Sequence, residues 1–151
     1  MSRPRGDSPH AARARARRRV LQALYQWQIT AQPMRGIVAQ FELAQDLSII
    51  DRDYFLAALT GIEEGREALD ALIKPCLDRP IEQVDAIERA VLRLGVWELK
   101  ERLDVPYRVV LNEAIDLAHE FGAEGGHSYV NGVLARLGPS LRPQEAASGG
   151  D

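Results

Sequence analysis

Seven arginines crowd the first 19 residues: Arg3, Arg5, Arg13, Arg15, Arg17, Arg18 and Arg19, against one acid, Asp7. This segment carries +6 in a chain whose net charge is -3, which leaves -9 on the other 132 residues. A guanidinium is always charged, forks onto phosphate oxygens and stacks on planar bases. An island of such groups on an acidic protein points to a polyanion, with RNA the leading candidate. The bland alternative is a solubilising basic tail. Arg13 and Arg17 stand four apart, and Arg15 stands three and four from Arg18 and Arg19. On a helix the cluster wraps about one and a half turns and shows charge on most sides. Like charges at these spacings oppose the helix, so the segment is expected to firm up on an anion. Five phosphate contacts to a single strand would give a log–log salt slope of at most about -3.5.

Two aromatics lie where a base could stack. Tyr25 follows the last arginine within two turns, and Tyr129 sits beside a glycine-rich turn. Each has an ordinary alternative as a half-buried helix residue. Glu82, Asp85, Glu88, Glu98 and Glu101 gather acids on or near one segment, either a solvated face or a dock for a basic protein.

Catalytic chemistry finds little support. The glycines form neither a G-x-x-x-x-G-K loop nor a strand-flanked G-x-G-x-x-G. Cys76 is the single cysteine and has no histidine near it in sequence, so it reads as a buried structural thiol in a reducing compartment. With His10, His119 and His127 alone, no zinc-ligand spacing exists. His119 reads as a satisfied structural residue, and His127 as a loop residue able to face a ligand. No enzyme, metal or cofactor is expected. No apolar run approaches the ~20 residues that span a bilayer. The Arg-rich start has the composition of an organellar transit segment, yet it runs unbroken into Val20–Trp27, the pattern of a core helix.

The elements that must position these residues all read as helices, because no stretch alternates with period two. The first is predicted over 11–31, with Val20, Leu24 and Trp27 on one face and Pro33 beyond its end. A second spans 36–44, anchored by Val38, Phe41 and Leu43. Asp51 is placed to cap a third, carrying Phe55, Leu59 and Ile62. Gly65 breaks or bends it before Leu69, Leu72 and Ile73; Pro75 begins a new turn or kinks the old one. The most regular helix covers 84–102, burying Ile87, Val91, Leu94 and Trp97. The next covers 108–121, with Leu111, Ile115 and Ala118 in one row and Val110, Ala114, Leu117 and Phe121 in another, both buried. After the flexible turn 122–126, a last helix over 128–137 ends at Gly138-Pro139. The expected fold is all-α, a compact bundle of about seven short helices over 11–138. Residues 1–10 are a disordered extension and 139–151 a flexible tail.

In this setting the motifs resemble one family. Arg17-Arg18-Arg19-Val20-Leu21-Gln22-Ala23-Leu24-Tyr25-Gln26-Trp27-Gln28 is similar to the opening helix of the NusB family of bacterial transcription antitermination factors. Glu88–Leu99 resembles its central helix. Val105-Pro106-Tyr107 with Asn112–Ala118, and Phe121–Glu124 with Tyr129–Leu134, are similar to its most distinctive stretches.

The resemblance implies two packed helical subbundles and a cytoplasmic, non-catalytic protein. It implies binding of single-stranded boxA RNA, pairing with the small-subunit ribosomal protein NusE, and entry into an antitermination complex on RNA polymerase that transcribes ribosomal RNA operons. It maps RNA contact onto Arg13, Arg15, Arg17, Arg18, Arg19, Tyr25, Gln45, Asp46 and Tyr129, and NusE contact onto Glu88. Alone, the chain would be a monomer or a homodimer. Departures stand at Ala14, at Ser128 where the family often has Lys, and at Gly125-Gly126, which lack the usual acid. The rivals are a purely structural homodimer and the related domain of rRNA cytosine methyltransferases, whose Gly-rich cofactor loops this sequence lacks.

Overall fold

A computed structural model describes residues 8–145. Among them are seven α-helices: α1 Pro9–Thr30, α2 Met34–Ala44, α3 Arg52–Glu64, α4 Arg66–Ile73, α5 Ala86–Glu101, α6 Tyr107–Phe121 and α7 Gly126–Leu141. Three single 3₁₀ turns, Leu47–Ile49, Lys74–Cys76 and Ile81–Gln83, link them, and no strand occurs among the described residues. The chain divides after Glu63 into two units.

In the first unit, α1 starts earlier than its apolar pattern indicates. The Ser8 hydroxyl accepts the Ala11 amide at 3.1 Å, and Pro9 enters with its φ already helical. Pro9 and His10 are therefore helical, which corrects part of the disordered extension; residues 1–7 lie outside the described residues. Ala31, at φ 58°, turns the chain out of α1. The core takes Val20, Leu24 and Trp27 as expected, with Met34, Ile37 and Phe41 from α2 and Phe55, Leu59 and Ile62 from α3. Of the expected α2 anchors only Phe41 is buried; Leu43 is 91% exposed. The helix begins at Met34, so the 34, 37, 41 row faces inward. Phe41 and Phe55 meet with ring centroids 6.1 Å apart. Glu63 Oε2 accepts the Met34 amide at 2.8 Å and so caps α2 from α3.

In the second unit, Asp85 caps α5 through the Ile87 and Glu88 amides at 3.1 and 3.2 Å. Eleven of its sixteen residues are buried, the all-round burial of a central helix. On α6, Val110, Ala114, Leu117 and Ala118 are buried, whereas Leu111 and Ile115 are half-buried and Phe121 is exposed. The two rows expected to be buried are thus one row and a flank.

The expected stop at Gly138-Pro139 is not one. A Cβ on Gly138 would overlap the Tyr107 ring, so this glycine is a point of close helix approach. Pro139 removes only its own amide from the ladder, and α7 continues to Leu141. Nor is 139–145 a loose tail. Arg142 is 4% exposed and donates to the carbonyls of Leu99 (2.7 Å), Val105 (3.0 Å), Glu98 (3.1 Å) and Arg102 (2.9 Å). It thereby satisfies the carbonyls left open at the end of α5. Residues 146–151 lie outside the described residues.

Candidate nucleic-acid interface

The arginine helix is built with its own counter-charges. Arg13 Nε donates to Asp51 Oδ2 at 2.8 Å, and its guanidinium lies 4.6 Å from the Tyr54 ring centre. Arg17 is 3% exposed and lies 5.3 Å from the same ring. Arg15 Nε donates to the Ile49 carbonyl at 2.7 Å. The helix therefore forms with internal compensation, and an incoming anion is not needed to order it. Nor does it show charge on most sides, since Arg13 and Arg17 turn into the unit.

Outward exposure falls on one stripe. Arg18, Gln22 and Tyr25 follow at i, i+4 and i+7, all exposed, with half-buried Arg15 one turn before. Tyr25 is 41% exposed. Arg19 is half-buried, and its Nε is shielded with no hydrogen-bond partner among the described residues. Gln22 was missed by sequence reasoning, although its place four residues after Arg18 marks it.

Gln45 and Asp46 join this region through a loop. Gln45 ends α2, its amide donating to the Phe41 carbonyl at 2.9 Å. Asp46 Oδ1 accepts the Ser48 amide at 2.9 Å and the Ser48 hydroxyl at 2.6 Å, and these bonds hold its carboxyl below the ordinary range. The turn so fixed presents the Ile49 carbonyl to Arg15 and, two residues on, Asp51 to Arg13. Asp46 is a support for the arginine helix; its negative charge suits no direct phosphate contact.

Tyr129 belongs to the second unit. Its hydroxyl donates to Asp78 Oδ1 at 3.1 Å, and the Arg79 guanidinium lies 4.8 Å from its ring centre. Arg79 in turn holds Asp78 through Nε at 2.7 Å and a second nitrogen at 3.1 Å. That pairing is the main reason the Asp78 carboxyl is lowered. Burial first, then the bond to Asp78, raises the Tyr129 phenol.

Glu88, read as a partner-facing acid, is 6% exposed and points inward. Its Oε2 accepts the Ala123 amide at 3.3 Å, and a Cβ on Gly126 would overlap this carboxylate. Glu98 is also buried, so the acids of α5 form no single outer face. His119, expected in a structural role, is exposed and meets His127 edge-on at 4.9 Å. No cluster of three metal-ligating side chains occurs among the described residues, and none of their helices is long and apolar enough to cross a membrane.

An all-helical fold with an arginine-lined first helix and an aromatic beside a glycine turn defines a small RNA-binding class. Comparison with known proteins makes it specific. The sequence model of the NusB family matches residues 14–138, and the chain belongs to that family. It is 54% identical to the transcription antitermination protein NusB of Stenotrophomonas maltophilia, over 89% of this chain and 84% of that protein. It is 48% identical to the protein of the same name from Xanthomonas campestris pv. campestris, over 99% of each. The solved structure of T. maritima NusB superposes with a TM-score of 0.78 at 28% identity, covering 98% of this chain and 99% of that one. NusB in a solved complex with NusE and double-stranded RNA shares the fold at a TM-score of 0.68 and 23% identity, covering 84% and 96%.

Proposed function

We propose that this chain is a non-catalytic, cytoplasmic transcription antitermination factor. It binds boxA-type single-stranded RNA, pairs with the ribosomal protein NusE, and joins the complex that keeps RNA polymerase elongating through ribosomal RNA operons. The observation that carries the reading is the outward stripe of α1. There Arg18 offers a fork to phosphate, Gln22 an amide to a base edge, and Tyr25 a ring for stacking. Arg15 and Arg19 flank it, and Arg13 and Arg17 hold the helix in place. Gln45 and Asp46 support the loop that receives Arg15. In the second unit Tyr129 offers a further stacking ring. Glu88 acts on partner binding indirectly, by fixing the turn 122–126 through the Ala123 amide.

A titration of labelled boxA RNA and a scrambled control, at two salt concentrations and with or without NusE, tests this. Tighter boxA binding that strengthens with NusE is expected. Equal, salt-sensitive binding to both RNAs would reduce the function to generic polyanion attraction.

A further inference from the structure

We infer that Arg79 is a phosphate-binding residue beside Tyr129, held in reserve by Asp78, which an RNA phosphodiester displaces. The inference rests on the RNA-binding reading above and adds a contact that sequence reasoning did not assign.

Two arginine–carboxylate forks in the second unit make the contrast. Arg93 grips Asp70 through two bonds of 2.9 Å, with side chains 10% and 13% exposed. That pair joins residues 23 apart, tying α4 to α5, and breaking it would strand buried charge. Arg79 grips Asp78 in the same forked manner, but the side chains are 44% and 64% exposed. Its partner is the adjacent residue, so the fork fastens no two elements together. An exposed pair of this kind is screened and weak. A phosphate offers the same two-oxygen geometry as a carboxylate and can take its place.

Location gives the exchange a purpose. The Arg79 guanidinium already lies over the Tyr129 ring, and the Tyr129 hydroxyl is tied to the same Asp78 oxygen that accepts from Arg79 Nε. A nucleotide stacking near Tyr129 would bring its phosphate within reach of Arg79. Leaving Asp78 would then free both the fork and the phenol for RNA. Asp78 also repels any approaching phosphate, so its charge sets a threshold that weakly held polyanions do not pass.

The test is a fluorescence-anisotropy titration of a boxA-type single-stranded RNA with the full chain and NusE across a salt series. Arg79→Ala should weaken binding roughly tenfold, the size of one charge-assisted contact, and reduce the salt slope by about 0.7. Asp78→Asn should tighten binding, because it removes the competing charge from an exposed site. Arg79→Lys should keep the slope while recovering only part of the affinity. Unchanged affinity and slope in Arg79→Ala, with the wild type binding normally, would overturn the inference and leave the RNA reading intact. So would weakening by Asp78→Asn, which would mark the pair as a rigid support for Tyr129. A wild type that fails to bind would remove both.

Discussion

Asp51 holds Arg13 at 2.8 Å with one carboxylate oxygen while its other oxygen accepts the Tyr54 amide at 3.0 Å. One side chain thus caps α3 and anchors the arginine helix, and the cap also sets the Tyr54 ring beneath Arg13 and Arg17. Asp51→Ala should cost about 2 kcal/mol, from a lost cap plus a lost charged hydrogen bond. Urea unfolding measures it; a change under 0.5 kcal/mol would mean that solvent replaces both bonds.

Arg17 and Arg18 are neighbours with opposite expected behaviour. Arg17→Ala should destabilise by about 1–2 kcal/mol, since its buried stem and cation–π contact are lost. Arg18→Ala should change stability by less than about 0.5 kcal/mol. It should nevertheless weaken boxA binding and lower the salt slope by about 0.7. Melting curves beside RNA titrations separate the two, and identical profiles for both variants would contradict the burial difference.

Much of this was legible beforehand. The positions of α1, α3 and α5 followed from apolar spacing and from Asp51 and Asp85 as caps, because those signals are local. The inward turn of Glu88 was not legible, because its partner is the Ala123 amide, 35 residues away. Gly138 misled for the same reason: a glycine that admits Tyr107 looks, in sequence, like one that ends a helix. In the site, the arginine positions were visible, but which of them face outward depended on Tyr54 and Ile49.

Glu88 should leave a pH signature. Burial, and then the nearby Asp85 charge, raise its carboxyl above the ordinary 4.5, with the Ala123 amide opposing in part. The folded chain therefore binds this proton more readily than the unfolded chain. The stability Glu88 contributes is fully present below the unfolded pKa and is lost as pH rises through the raised folded value. Glu88→Gln keeps an acceptor for Ala123 and removes the charge. Its melting temperature should exceed the wild type's at pH 7, and the gap should close toward pH 4. A gap that does not vary with pH would assign the effect to packing.

Gly126→Ala should cost about 1–3 kcal/mol by driving a methyl group into the Glu88 carboxylate. In a Glu88→Ala background the penalty should shrink, giving a measurable coupling in a double-mutant cycle. Additive losses would show that the two residues do not share the space.

Arg142 gives the second unit a timetable. The carbonyl of Leu99 waits for a donor 43 residues further along the chain, and those of Glu98 and Arg102 wait nearly as long. During synthesis the end of α5 leaves the ribosome with its acceptors open, and they close only when the residue after α7 has emerged. A nascent chain halted at Leu141 should therefore exchange amide hydrogens rapidly around 102–105, and one extended past Arg142 should not. The last turn of the last helix works as a completion signal for the unit, read out by four carbonyls at once.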